Sequence, residues 1–354
     1  MYCEWEGASE RPCRPCEFSL NLDIATPRAI LEGVFSCFAI LDQPYQLMKT
    51  LSVVVPVYFN EESLPTLLDE LEVVEQELAR KALGLELIFV DDGSGDQSFQ
   101  ELLRIKEKRP ATRVIKLTRN FGGVHAVKVG FQFVTGDCFM MLAADGQDPP
   151  AMILEMADCW LNGAKYTVCA RRAREDPRAK KIYAFFYYRL LRLFVAKDYP
   201  VTGYDLALMD RAMLPHLQSS AKNINTPLFA FWLGFKPTVL TYDRRQRLHG
   251  KGKWTFGKSF KFMLDSLLGF SIVPIRAISL IGVVVAILSF LYGAVVIVSA
   301  LRGGTLVRGW ASTAALVSFL LGLVIIMLGI IGEYIWRIFD EVSRRPEAVI
   351  EEVH

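Results

Sequence analysis

The chain has 354 residues, about two domains at roughly 150 residues each, and its 40 Lys+Arg against 38 Asp+Glu leave a net charge of +2. That balance excludes bulk electrostatic binding of nucleic acid, and 52% hydrophobic against 22% charged residues excludes a disordered chain. A mean hydropathy of +0.28 is high for a wholly soluble enzyme and requires a strongly apolar segment.

The first 47 residues contain four of the seven cysteines: Cys3, Cys13, Cys16 and Cys37. Cys13 and Cys16 form a CxxC, but no second pair follows at ligand spacing, so a zinc site is not expected. The chain restarts at Met48, just before a clean strand, and residues 1–47 are expected to be a dispensable extension. No signal peptide is expected, because acidic residues come early and no apolar core precedes a small-residue cleavage site.

From residue 51 strands alternate with helices. LSVVVPVY (51–58) is a continuous β-branched run, as in a strand buried on both faces. Residues 63–83 have helical spacing, with Ser63 as the expected cap and Gly84 past the end. Strands are predicted at 85–94, 111–118 and 138–145, and helices at 95–108 and 122–134. This alternation predicts an α/β fold with a mostly parallel sheet, whose ligands sit beyond the carboxyl ends of the strands. Four polar clusters fall at those ends, at 58–62, 91–94, 119–123 and 145–148, and together predict a binding cleft.

Asp91 and Asp92 end a strand where a carboxylate can accept from a nucleobase or a ribose hydroxyl; the same loop can instead cap the next helix. Asp145 and Gln147 can direct oxygens at one hard cation, Mg²⁺ or Mn²⁺, or can form an Asx-turn before Pro149 and Pro150. Residues 171–192 carry eight Lys/Arg against two acids, interleaved with aromatics. Such a helix suits a membrane surface, or is a solvated basic face. Residues 244–254 add five more Lys/Arg before a second amphipathic stretch at 257–270.

The apolar excess lies near the C-terminus. Residues 277–300 run 24 residues and 312–332 run 21 residues without a charge. About 20 apolar residues cross a bilayer core, so two transmembrane helices joined by a short loop are predicted. Arg276, Arg337, Arg344 and Arg345 flank the hairpin, and Arg302 and Arg308 occupy its loop. This bias predicts that the N-terminal body and both termini are cytoplasmic, on a multi-pass protein of the inner (plasma) membrane.

VVVPVYFNEESL, VDDGSGD, LTRNFGG and ADGQDPP, in this order and ahead of a transmembrane hairpin, resemble the family-2 glycosyltransferases of GT-A fold. The nearest branch is the polyprenyl-phosphate glycosyltransferases, relatives of dolichol-phosphate mannose synthase and of bacterial undecaprenyl-phosphate glucosyl- and aminoarabinosyl-transferases. The resemblance covers roughly residues 50–346. It implies an inverting transferase that moves a sugar from a nucleotide-sugar, by analogy a UDP-sugar, to a polyprenyl phosphate. It implies that Pro56, Tyr58, Glu61, Asp91 and Asp92 hold the nucleotide, with Asp92 foremost for the base. Asp145 and Gln147 match two positions of a DxDxQ metal motif whose first Asp is Ala143 here. Arg171, Arg174, Arg178 and Lys181 would receive the lipid phosphate. Arg247 and Lys253 would neutralise the leaving diphosphate, and Asp205 would face the donor sugar or the acceptor. His249 is expected to be structural.

The expected organisation is an extension at 1–47, a GT-A catalytic domain at 48–235 and a basic juxtamembrane segment at 236–276. A hairpin at 277–336, with spans near 277–300 and 312–334, and a tail at 337–354 complete it. The expected partners are the nucleotide-sugar, the polyprenyl phosphate, the bilayer and, through the hairpin, further copies of the chain; no nucleic acid is expected. Two other readings stay open: a nucleotide-sugar-binding scaffold impaired by Ala143, and transfer to a different lipid.

Overall fold

The computed structural model describes residues 48–172, 178–197, 199–200, 203–222, 224–245, 256–302 and 310–354. The extension 1–47, Arg174, Arg247, His249 and Lys253 lie outside them. So do the side chains of Arg178 and Lys181, whose backbone opens a helix.

The chain runs β1 (Lys49–Val57), α1 (Leu64–Arg80), β2 (Leu83–Asp91), α2 (Ser98–Lys108), β3 (Arg113–Leu117), α3 (Gly123–Phe131), β4 (Cys138–Met141), α4 (Met152–Leu161), β5 (Tyr166–Arg171) and α5 (Arg178–Phe194). It continues through β6 (Leu206–Asp210), α6 (Leu214–Gln218), α7 (Thr226–Trp232), β7 (Thr238–Tyr242), α8 (Phe256–Phe270), α9 (Val273–Leu301), α10 (Trp310–Val342) and β8 (Ile350–Val353). One sheet of eight strands has the order β7-β5-β6-β4-β1-β2-β3-β8. β1 pairs in parallel with β2 and β4, β2 with β3, and β5 with β7. β6 is antiparallel to both β4 and β5, and β8 is antiparallel to β3.

The β1 run is apolar throughout because both faces are covered. Leu51, Val53, Val55 and Val57 join a core with Leu64, Leu71 and Leu78 of α1, Leu102 of α2 and Ile153 of α4. Val54 points the other way, into a core with Val127 and Phe131 of α3, Leu214 and Leu217 of α6, and Ala230 of α7. A smaller cluster joins Tyr187 and Leu191 of α5 to Leu228 of α7, with Phe262, Met263 and Leu267 of α8 packed against it.

Two local expectations are corrected. Ser63 stands at the N-cap of α1 but makes no side-chain capping bond. Its hydroxyl instead donates to the Ala144 carbonyl at 2.6 Å, tying the start of α1 to the loop after β4. The turn after α1 is made by Ala82, at φ 55°, while Gly84 lies within β2.

The hairpin prediction has a direct counterpart. Ile275–Val295 of α9 and Phe319–Val342 of α10 are long and apolar enough to cross a membrane. Leu280, Phe290, Phe319 and Ile325 are exposed, so these helices are not the core of a soluble domain. Tyr334 of α10 donates to the Ser271 carbonyl just before α9, and a Cβ added at Gly282 would lie 2.9 Å from Met327. Later residues of α10 thus meet earlier residues of α9, and the two helices run antiparallel. Arg337 pairs with Asp265 of α8 and, at 3.1 Å, with Glu333, fixing the base of the hairpin.

Candidate active site

The carboxyl ends of β1, β2, β3 and β4 share one sheet edge, and β5 and β7 end there too. β6 runs the other way, so its first residues reach the same edge. That brings Tyr58, Asp91, Asp92, Arg119, Asp145, Asp148, Arg171, Asp205 and Tyr242 to one side of the molecule, although they span most of the body.

At the end of β2 Asp91 and Asp92 lie beneath the loops, 0% and 2% exposed. Asp91 accepts from the Ser94 backbone N–H at 3.3 Å. Asp92 accepts from Phe121 N at 2.7 Å and Gly122 N at 2.9 Å. Burial pushes both carboxyls up, and these N–H bonds oppose it in part. The pair thus shapes the walls formed by residues 93–94 and 119–122. Gly93 is where those walls touch: its φ is 67°, and a Cβ there would meet the Arg119 carbonyl carbon at 2.5 Å. Left-handed backbone costs a non-glycine residue about 1–2 kcal/mol, and the clash is with backbone that cannot turn aside. Gly93→Ala is expected to weaken nucleoside diphosphate binding at least about tenfold by calorimetry; unchanged affinity would separate these loops from the donor site.

The first loop is held by Asn60, which accepts from Tyr58 N at 3.0 Å, and by Glu61, which is exposed and accepts from Gln97 N at 2.7 Å. Pro56 and Tyr58 are half-buried, and the Tyr58 ring stands edge-on to Phe59 at 4.6 Å. In the fourth loop Gln147 N donates to Asp145 Oδ1 at 3.2 Å, so the Asx-turn is formed and both residues sit together at the cleft. Among the described residues no three or more His, Cys, Asp and Glu are arranged to hold a metal ion. With Ala143 in place of a carboxylate, the protein offers one carboxylate and one amide here. That set fits a hard cation only if the remaining oxygens come from elsewhere, such as a diphosphate.

The densest polar cluster lies beside that loop. Arg171 grips Asp205 with two parallel bonds, Nε to Oδ2 at 2.5 Å and Nη2 to Oδ1 at 2.6 Å. Tyr242 donates to Asp148 Oδ1 at 2.6 Å and lies 3.2 Å from Asp205 Oδ2. Arg244 Nε lies 3.1 Å from Asp148 Oδ1, an ion pair without the alignment of a hydrogen bond, and its Nη1 is 3.7 Å from Asp205 Oδ1. Burial pushes the Asp148 carboxyl up, against the opposing Arg244 charge and Tyr242 bond. Burial acts likewise on Asp205, but the Arg171 fork outweighs it and holds this carboxyl below the ordinary range. Arg171 therefore spends two of its donors on Asp205. The sequence motifs name Asp205 and Arg171 but not Asp148, Tyr242 or Arg244. Of these three, only the last Asp of ADGQDPP carries a signal, an acid next to Gln147 in the same motif.

A glycosyltransferase is what this sheet, cleft and acidic loop define. The chain belongs to glycosyl transferase family 2, whose profile matches residues 52–217. It is 32% identical to an uncharacterized glycosyltransferase of Synechocystis sp. over 86% of this chain and 95% of the relative. It is also 32% identical to a prophage-derived bactoprenol glucosyl transferase of Shigella flexneri over 86% of this chain and 98% of that protein. Among solved structures, a mannosyltransferase from Pyrobaculum calidifontis with GDP-mannose and Mn²⁺ aligns at TM-score 0.41 and 19% identity, over 64% of this chain and 66% of that one.

Proposed function

We propose that the protein transfers a sugar from a nucleoside diphosphate donor, a UDP-sugar, to the phosphate of a polyprenyl phosphate at the cytoplasmic face of the membrane. The observation that carries this reading is the similarity to a bactoprenol glucosyl transferase over 86% of this chain and 98% of that relative. The antiparallel hairpin, with Arg337 at its base, supports a cleft held beside the headgroups.

The acceptor phosphate is already anionic at neutral pH, so no general base is needed to create the nucleophile. Its oxygen attacks the anomeric carbon in line, the bond to the donor diphosphate breaks, and configuration inverts. Pro56, Tyr58 and Glu61, with the loops shaped by Asp91 and Asp92, hold the nucleotide. Arg247 and Lys253 meet the charge of the departing diphosphate. Asp205 orients the reacting groups. Arg171 holds Asp205, and Arg174, Arg178 and Lys181 attract the lipid phosphate. Asp145 and Gln147 would contribute to a Mg²⁺ or Mn²⁺ ion whose chemistry is to neutralise the diphosphate.

The assay is transfer from labelled UDP- and GDP-sugars to undecaprenyl phosphate in membranes holding the full chain, with identification of the lipid product. Absence of product from every donor would leave the scaffold reading, which Ala143 favours; product on diacylglycerol alone would reassign the acceptor. Restoring the carboxylate by Ala143→Asp is expected to lower the Mg²⁺ concentration for half-maximal activity about tenfold, because affinity for hard cations rises with ligand charge. An unchanged requirement under EDTA titration would remove residue 143 from the cation site.

A further inference from the structure

Tyr242 belongs to none of the motifs, yet its hydroxyl lies where the two halves of the cleft meet. Asp148 lies beyond β4 on the donor side, and Asp205 precedes β6 on the other. They are 57 positions apart, counting from 148 to 205, and Tyr242 touches both carboxylates. We infer that Tyr242 is a positioning residue for the transfer reaction, holding Asp205 in register with the 145–148 loop. This rests on the glycosyltransferase activity and acceptor proposed above.

The geometry supports a positional role. A tyrosine hydroxyl has one proton to give. It makes the shorter bond to Asp148 Oδ1 at 2.6 Å and leans on Asp205 Oδ2 at 3.2 Å, so one group fixes the approach of two carboxylates. Two acids this close would repel, but Arg171 and Arg244 balance them, leaving two positive and two negative charges. Asp205 and Arg171 are largely committed to each other, so the cluster supplies rigid placement more than free charge. The ring cannot swing, because Tyr242 is 4% exposed and packs in the core with Cys169, Leu206 and Leu208.

The same anchor governs the segment that leaves β7. Arg244 pairs with Asp148, Arg245 N donates to the Gln147 carbonyl at 3.0 Å, and Arg245 Nη1 pairs with Glu70 at 2.7 Å. The chain beyond Tyr242 is thus stitched to the 147–148 backbone and side chains before it reaches Arg247 and Lys253. A displacement near 1 Å in a site of this kind can cost about 100-fold in rate.

Tyr242→Phe keeps the ring and its core packing and removes only the hydroxyl. In the full chain, with UDP-glucose and undecaprenyl phosphate, kcat is expected to fall at least about tenfold while KM for the donor and Kd for UDP stay within about twofold. Asp148→Asn is expected to show the same split. The double variant should lose no more than the worse single one, since the two groups act as one unit. In parallel, amide hydrogen exchange at Arg245 should accelerate in Tyr242→Phe, a readout that needs no turnover. A kcat within twofold of the unmodified protein, losses that multiply in the double variant, a matching loss of UDP affinity, or unchanged exchange at Arg245 would each overturn the inference. Absence of transfer by the unmodified chain, with the exchange change present, would instead overturn the assigned reaction and leave the tether standing.

Discussion

Asp205→Asn is expected to lower transfer at least about 100-fold and to lower stability by about 3 kcal/mol. Asparagine keeps the shape but exchanges one oxygen of the carboxylate for an amide that donates. Arg171 now holds Asp205 with two bonds near 2.5 Å, so one of its N–H groups would face another donor. Breaking one partner of a buried ion pair costs about 3–5 kcal/mol. The lower figure applies because both side chains remain about one-fifth exposed, at 18% and 20%. For a body of this size that is roughly 6–12 °C in Tm, measurable by thermal unfolding in detergent. The pH dependence has a definite sign. The Asp205 carboxyl is held below its ordinary value, so its contribution to stability is complete above the unfolded pKa of about 3.9 and is lost only as pH falls through the lower folded value. The Tm gap between Asp205→Asn and the unmodified chain should therefore be constant from pH 7 to pH 5 and close below about pH 4. Asp148 runs the opposite way: its raised carboxyl binds a proton more tightly in the folded state, so its cost grows as pH rises through that value. A gap that widened in acid would mean that Asp205 is not the ionised partner of Arg171.

The polar clusters at the ends of β1, β2 and β4 are legible in the sequence because their signals are local. Each of β1, β2 and β4 ends in its own polar cluster, and apolar runs before those clusters mark the strands without knowledge of their neighbours. The rest of the site is hidden by distance. β5 and β6 pair through short runs such as YTVCAR and LALMD, whose composition alone does not distinguish strand from helix. Tyr242 lies 94 positions from Asp148 and 37 from Asp205, so nothing in its own neighbourhood announces either contact. Family resemblance singles out Asp205, and the basic stretch that contains Arg171 shows its charge but not the carboxylate 34 positions away that it grips. Asp92 illustrates the same limit. Its place at a strand end allows a carboxylate that accepts from a ligand or one that binds backbone N–H groups, and only the fold shows the bonds from Phe121 N and Gly122 N, about 30 positions away.

The second large effect is expected from the tail, which the sequence presented as a short appendage to the hairpin. After α10 the chain returns to the catalytic body and adds β8 to the edge of the sheet. His354 and Val114 exchange backbone bonds at 2.8 and 3.0 Å, and Thr118 N donates to the Val349 carbonyl at 3.0 Å. Lys116 pairs with Glu351 at 3.1 Å. Glu347 accepts from Lys128 at 2.7 Å and lies 2.9 Å from His125 Nδ1, both on α3. Lys128 is 4% exposed, and among its described contacts Glu347 supplies the only carboxylate. Removing residues 347–354 would leave a buried ammonium without its counter-charge, at about 3–5 kcal/mol, and would expose β3 as an unpaired edge prone to association. The truncated chain is expected to lose most of its monodisperse folded fraction on size-exclusion chromatography. Glu347→Gln, which keeps the strand and an amide oxygen that can accept from Lys128, should lower stability by a smaller amount, about 2 kcal/mol, since the hydrogen bond can persist and only the counter-charge is lost. A truncated chain with unchanged Tm would show that β8 adds nothing to the body. The pairing also constrains topology. Because β8 belongs to the same sheet as β1, the tail must lie on the same side of the membrane as the catalytic body. Single cysteines placed at Lys108 and His354 should therefore be labelled by an impermeant reagent from the same side of sealed vesicles, and labelling from opposite sides would require β8 to leave the sheet.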